Sequence, residues 1–204
     1  MKGKEKLQLK ITSNMNEVIK KAAEVVKQGG IIIYPTDTAF GIGCRIDKED
    51  AIDKLFSIRE RPINKATPVL FSSFEMVKEF VTTIPEDVIP LLEKYWPGAL
   101  TVILPADIQK VPSLVRGGGL GIGCRIPNHE IPLQIISSIG VPIIGTSANF
   151  AGGPTPYIMA DIDPRLMSLV DLVVPGVTNV QKESTVIDCT QNPWKILRNG
   201  AVIL

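Results

Sequence analysis

Apolar residues first recur at helical spacing. Met15, Val18, Ile19, Ala22, Val25 and Val26 share one face of a 3.6-residue period. Asn14 and Glu17 have the spacing of a capping box, and Gly29 and Gly30 end the run. The period then changes: residues 31–34 read Ile-Ile-Ile-Tyr, the continuous apolar run of a strand buried on both faces. Asp47 can cap a second helix whose inner face is Ala51, Ile52, Leu55 and Phe56. Strands are expected at 69–71, 100–104, 121–126, 141–146, 171–174, 184–188 and 195–197, and helices at 74–81, 87–95 and 131–139. Residues 1–13 read as a polar lead-in with an edge strand over 7–11. Helices interleaved with buried strands predict an α/β layered fold. The 16 prolines sit mostly at element ends and no low-complexity segment divides the chain, so residues 1–204 are expected to form one domain.

Composition narrows the function. Hydrophobic residues are 45% of 204, enough to fill a core. Twenty-two basic against 21 acidic side chains leave a net charge of +1, so an anion site has to be local rather than a global cationic coat. Cys44, Cys124 and Cys189 are odd in number and lack CxxC spacing, which speaks against a disulfide framework or a zinc site. His129 is the sole histidine. No apolar stretch approaches the roughly 20 residues of a membrane span, and the charged start MKGKEKLQLK is not a signal peptide. A cytoplasmic location is expected. The hexapeptide Gly41-Ile42-Gly43-Cys44-Arg45-Ile46 recurs at Gly121–Ile126, but the match stops there, as chance similarity of two glycine-rich segments would.

Four segments carry candidate chemistry. Residues 35–43, PTDTAFGIG, leave the buried strand at its carboxyl end, where α/β sheets gather ligands; they offer Thr36, Asp37 and Thr38, and would equally form an ordinary Asx or Ser/Thr turn. Arg59, Arg61 and Lys65 form a basic hook broken by Pro62, either a phosphate site or a solvated helix end. Arg125 ends a strand with apolar neighbours and needs an anion, whether a structural carboxylate or a substrate. Residues 141–149 deliver Thr146, Ser147 and Asn149 to a loop continued by Thr155. There is no P-loop, and a lone histidine gives a serine nucleophile weak support.

In order, PTDTAFGIG, RERPINK, WPGALT, GCRIP, GTSANFAGGPTP, ESTVID and ILRNG resemble the YrdC/Sua5/YciO family of threonylcarbamoyl-adenylate synthases from about residue 16 to 200. The resemblance implies a twisted open mixed sheet with flanking helices around a large basic concave cavity. It implies a nucleotidyltransferase that joins L-threonine, bicarbonate and ATP into threonylcarbamoyl-AMP and pyrophosphate, the first step of N6-threonylcarbamoyladenosine formation in tRNA. Downstream partners would be the proteins that transfer the group to tRNA. By the same resemblance, Thr38, Arg125 and Ser184 contact threonine. Arg59, Arg61, Lys65, Ser147, Asn149, Thr155 and Arg198 contact ATP, with Arg59, Arg61 and Lys65 stabilising charge. No residue need react covalently. Mg²⁺ is expected with ATP, Asp37 being a candidate ligand; zinc and disulfides are not expected. The chain departs from the family pattern at Arg59 (usually Lys), Phe40 (usually Tyr) and Leu70 (His in some members), and it matches the short, single-domain type. The alternatives are a YciO-like relative acting on another adenylate, and an RNA-binding module. The near-neutral charge and the lack of an aromatic stacking platform oppose the latter.

Overall fold

Helix and strand alternate along the chain as the periodicities predict, but the strands part into two sheets. The computed structural model describes the backbone of residues 2–204 and side chains from residue 14 onward. The elements are α1 (Lys2–Lys27), β1 (Ile32–Pro35), β2 (Phe40–Gly43), α2 (Glu49–Ile58), β3 (Val69–Leu70), α3 (Phe74–Lys78), α4 (Ile89–Tyr95), β4 (Leu100–Pro105) and α5 (Ser113–Arg116). They continue with β5 (Gly121–Arg125), α6 (Glu130–Ile139), β6 (Ile143–Ile144), β7 (Thr146–Ser147), α7 (Pro164–Leu169), β8 (Leu172–Val173), β9 (Thr185–Asp188) and β10 (Lys195–Arg198). One mixed sheet has the order β7-β2-β1-β8, the other β10-β9-β4-β5-β3-β6.

β1 behaves as its sequence predicts. Ile31 and Ile33 join the larger core with Val69, Val102, Ile122 and the inner face of α2, while Ile32 and Tyr34 point the other way into a second core with α1 and α6. A strand sandwiched on both faces has no polar face to show. The four predicted inner residues of α2, Ala51, Ile52, Leu55 and Phe56, are all buried.

Five expectations are corrected. Residues 2–13 are helical backbone continuous with α1, so neither the edge strand over 7–11 nor a cap at Asn14 forms; Lys, Glu, Leu and Gln are good helix formers, and nothing at 14 stops the helix. Lys48 occupies the N-cap of α2 without a side-chain bond, because Asp47 turns back to Arg45, with Nη2 to Oδ2 at 2.7 Å. The helix expected over 74–81 ends at Lys78, since Val81 pairs with Ala106 in an antiparallel bridge. PTDTAFGIG is not all loop: Phe40–Gly43 is β2, folded back antiparallel on β1 with Ile33 opposite Ile42. The strand expected over 141–146 is two. Ile143 and Ile144 pair with β3 in the larger sheet; Thr146 then pairs with Ile42 in the smaller one.

That last division replaces the single open sheet by two mixed sheets joined at a seam. Ile144 N–H donates to the Cys44 carbonyl at 2.9 Å, and Arg45 bridges Ile143. The strands cross so closely that a Cβ on Gly43 would lie 1.8 Å from the Ile144 carbonyl oxygen. Glycine is required there because only its bare Cα permits the approach.

Candidate active site

A cleft opens beside this seam, enclosing about 710 Å³ counting the part open to solvent. Both sheets contribute to its wall: Thr36, Thr38 and Phe40 come from the β1–β2 hairpin, Thr101 and Arg125 from β4 and β5, and Ser147 from β7. Thr146 joins Ser147 from β7, and Arg61, Thr155, Glu183, Ser184 and Arg198 complete the polar lining.

Arg125 is 6% exposed at the carboxyl end of β5. Its Nη2 meets Asp37 Oδ1 at 2.6 Å, Nη1 donates to Thr38 Oγ1 at 2.8 Å, and Nε donates to the Gly98 carbonyl at 2.9 Å. Of the five N–H donors of a guanidinium, these three are engaged and the remainder belong to a side chain that lines the cleft. Burial pulls the Arg125 pKa down and the Asp37 carboxylate opposes the fall, while Arg198 adds a repulsive charge. The structural carboxylate is Asp37, and the same side chain also faces the cleft. Asp37 is 4% exposed and committed to Arg125, so it is not a free carboxylate for Mg²⁺. Thr36 Oγ1 donates to the Ala39 carbonyl at 2.7 Å, holding the turn that presents Thr38.

Also in the cleft wall, Ser184 Oγ is 2.8 Å from Thr101 Oγ1 and accepts from Arg198 Nη2 at 2.9 Å. Arg198 also lies 3.4 Å from Glu183 Oε1, to which Thr155 Oγ1 donates at 3.0 Å. Arg61 reaches the cleft from beyond α2; its Nε donates to the Lys65 carbonyl at 3.2 Å, and its Cζ is 5.9 Å from the Phe56 ring centre. Three guanidinium groups, from Arg61, Arg125 and Arg198, thus converge on one concavity.

The basic hook divides in the structure. Arg59 is 2% exposed and lies behind the loop at 146–149, bonded to Thr146 and Asn149 rather than lining the cleft. The hook's spacing could not distinguish it from Arg61, because α2 ends there: Arg59 is its C-cap and faces the body of the protein. Burial pushes the Arg59 guanidinium down to about 10, and the Arg61 charge acts in the same direction. Lys65 is exposed and outside the lining; it offers its carbonyl to Arg61. Asn149 lies behind Ser147, accepting the Ser147 hydroxyl at 2.6 Å.

Thr101 and Glu183 line the cleft without having been given a role from sequence, although Glu183 opens the ESTVID segment. Thr101 had a signal: it is the one polar residue in the apolar run Leu-Thr-Val-Ile-Leu, and a buried strand spends such a position on a bonded hydroxyl. Glu183 precedes β9 in a loop, where nothing local marks a carboxylate.

The family model Sua5/yciO/yrdC, described as telomere recombination, matches residues 24–200. The chain belongs to the Sua5/YciO/YrdC family. Similar proteins include the threonylcarbamoyl-AMP synthase of Pyrococcus abyssi, 33% identical over 190 residues and covering 91% of this chain and 55% of that one. The protein of the same name from Xanthomonas euvesicatoria is 34% identical over 173 residues, covering 82% and 90%. The crystal structure of P. abyssi Sua5 complexed with L-threonine superposes with a TM-score of 0.85 at 33% identity, covering 89% of this chain and 54% of that one. E. coli YciO superposes at 0.81 and 28% identity, covering 90% and 89%. The chain spans about half the length of the P. abyssi and Bacillus subtilis relatives, 55% and 54%. Like its family, it is a mixed α/β fold; among the described residues no helix is long and apolar enough to cross a membrane.

Proposed function

We propose that the cleft makes threonylcarbamoyl-AMP from L-threonine, bicarbonate or CO2, and ATP, releasing pyrophosphate. The observation that carries this reading is the convergence of Arg61, Arg125, Arg198 and Ser147 on one cleft. A family whose members bear the synthase name supports the choice of substrates.

The residues divide the work by charge. Arg125, oriented by Asp37 and Thr38, offers its remaining donors to the amino-acid carboxylate; a planar fork suits that group. Ser184, held by Thr101 and Arg198, closes the same end. Arg61 and Arg198 neutralise phosphate oxygens. The threonine amine attacks the carbon of CO2, forming the N–C bond of a carbamate and releasing a proton to water. A carbamate oxygen then attacks the α-phosphorus, and the α–β anhydride bond breaks as pyrophosphate leaves. No side chain forms a covalent bond to substrate, so the rate comes from alignment and from cations aimed at developing charge. A carbamate is short-lived in water, which gives enclosure a purpose beyond affinity.

Mg²⁺ fits this site as a companion of the nucleotide, not as a protein-held ion. Among the described residues no three His, Cys, Asp or Glu side chains converge, and Glu183, the carboxylate lining the cleft, already meets Arg198 and Thr155. Phosphate oxygens and water would supply its shell.

The test is pyrophosphate release from ATP by the purified protein, with and without threonine and bicarbonate. Release that needs both is expected. Nucleotide binding with no release under those conditions rejects the activity, and release with a different amino acid redirects it to the YciO-like alternative. The transfer of the product to tRNA by further proteins belongs to this reading as its downstream step.

A further inference from the structure

Arg59 is a buried cation that does not reach the cleft, and its bonds have a direction. Nε donates to the Asn149 carbonyl at 3.0 Å, Nη1 to Thr146 Oγ1 at 2.8 Å, and Nη2 to Asn149 Oδ1 at 3.0 Å. The Arg59 carbonyl in turn accepts from Ala151 N–H at 2.8 Å. Four hydrogen bonds therefore clamp β7 and the loop after it to the end of α2, and among the described residues no carboxylate pairs with Arg59.

We infer that Arg59 is a positioning residue that sets the shape and hydrogen-bond polarity of the loop carrying Ser147, and does not itself hold a phosphate. A guanidinium has no acceptor, so the Asn149 oxygen must face it. The Asn149 Nδ2 then faces the Gly153 carbonyl, to which it donates at 2.6 Å. Ser147 Oγ lies 2.6 Å from that same oxygen and has to give it the hydroxyl proton. Ser147 consequently turns lone pairs toward the cleft and meets a hydrogen-bond donor on the ligand. One fixed cation thus orders the chain Arg59, Asn149, Ser147. Lysine has three donors but on one nitrogen, so it cannot reproduce bonds given from three separate nitrogens in a fixed plane. That is the physical content of an arginine at a position where the family usually has lysine.

Two measurements on the whole chain test this, with Arg59→Lys and Asn149→Ala as variants. The first is amide hydrogen exchange, which needs no ligand. Arg59→Lys is expected to speed exchange at residues 146–151 about tenfold, the net loss of about one charge-assisted bond, and to leave β4 and β5 unchanged. An unaltered loop, or a uniform rise over the molecule, overturns the inference. The second is calorimetric binding of ATP, AMP and L-threonine, which rests on the nucleotide reading above. Arg59→Lys should weaken ATP and AMP by one common factor of about tenfold and threonine by less than about twofold. A loss that grows with the number of phosphates would make Arg59 a phosphate ligand and overturn the inference. Combined with Asn149→Ala it should add little, because both break one chain of bonds; additive losses contradict the assignment. Failure of the unaltered protein to bind nucleotide would reject the proposed function, while the exchange result would still decide the role of Arg59.

Discussion

Arg125 has two kinds of neighbour, and its energetics follow from the difference. Asp37 is a permanent counter-ion at 2.6 Å, and the rest of the guanidinium belongs to the cleft. Truncation to alanine would strand Asp37 in the interior, at a cost of about 3–5 kcal/mol, and confuse folding with function. Arg125→Lys keeps the charge and loses the fork. It is expected to raise the KM for threonine about 10–100-fold, the worth of one or two charge-assisted bonds, with ATP affinity unchanged. Arg61→Ala should do the reverse, weakening ATP and sparing threonine; steady-state kinetics with each substrate varied in turn checks both. Equal effects of both variants on both ligands would contradict the division of the cleft. Local sequence could mark Arg125 as an arginine in need of an anion, because it stands among apolar strand residues. It could not tell Arg125 from Arg45, which sits in the same hexapeptide. Arg45 pairs with Asp47 at the surface, whereas Arg125 is enclosed by Asp37, Thr38 and Gly98 from elsewhere in the chain.

At the scale of elements, the seam between the sheets is the demanding feature. Gly43→Ala would push a methyl group into the Ile144 carbonyl, and one strand would have to move. A loss of about 3 kcal/mol or more is expected in denaturant titration, at the upper end for a single substitution. Ser73→Ala is milder. Its hydroxyl accepts the Met76 N–H at 3.1 Å at the start of α3, and removing such a cap costs about 1 kcal/mol. The two sites differ in legibility for one reason. Ser73 acts within four residues, so its role is local. Gly43 answers to Ile144, a hundred positions away, and no window of sequence contains both. The division of residues 141–147 between two sheets escaped the periodicity for the same reason, since a two-residue strand has no period.

For the whole molecule, charge and burial set the response to ligand and pH. Three guanidinium groups converge on the cleft, and Arg198 and Arg61 press on the buried charges of Arg125 and Arg59. A polyanion relieves that repulsion. ATP at a hundred times its Kd should stabilise the fold by about 2.7 kcal/mol, roughly 5–10 °C in the unfolding midpoint for a chain of this size. No shift with ATP in thermal unfolding would count against the site. The buried thiols give a second response. Burial pushes Cys44 and Cys189 up to about 12 from an ordinary 9. A pKa raised in the folded state means that the stability these thiols contribute is complete below pH 9 and is lost as pH rises toward 12. Denaturant midpoints should therefore fall from pH 9 upward, and less steeply in Cys44→Ala.

Periodicity within short windows determined the later part of α1, α2 and its inner face, α4, α6 and the doubly buried β1, because those follow from solvent exclusion acting on neighbours in sequence; the short α5 and α7 carry too few turns to show a period. The ordered motifs determined the family. The tertiary structure alone decided which cation faces the ligand and which braces the loop behind it. Arg59 and Arg61 are two residues apart with the same chemistry, and only the direction in which α2 ends sends one inward and the other to the cleft.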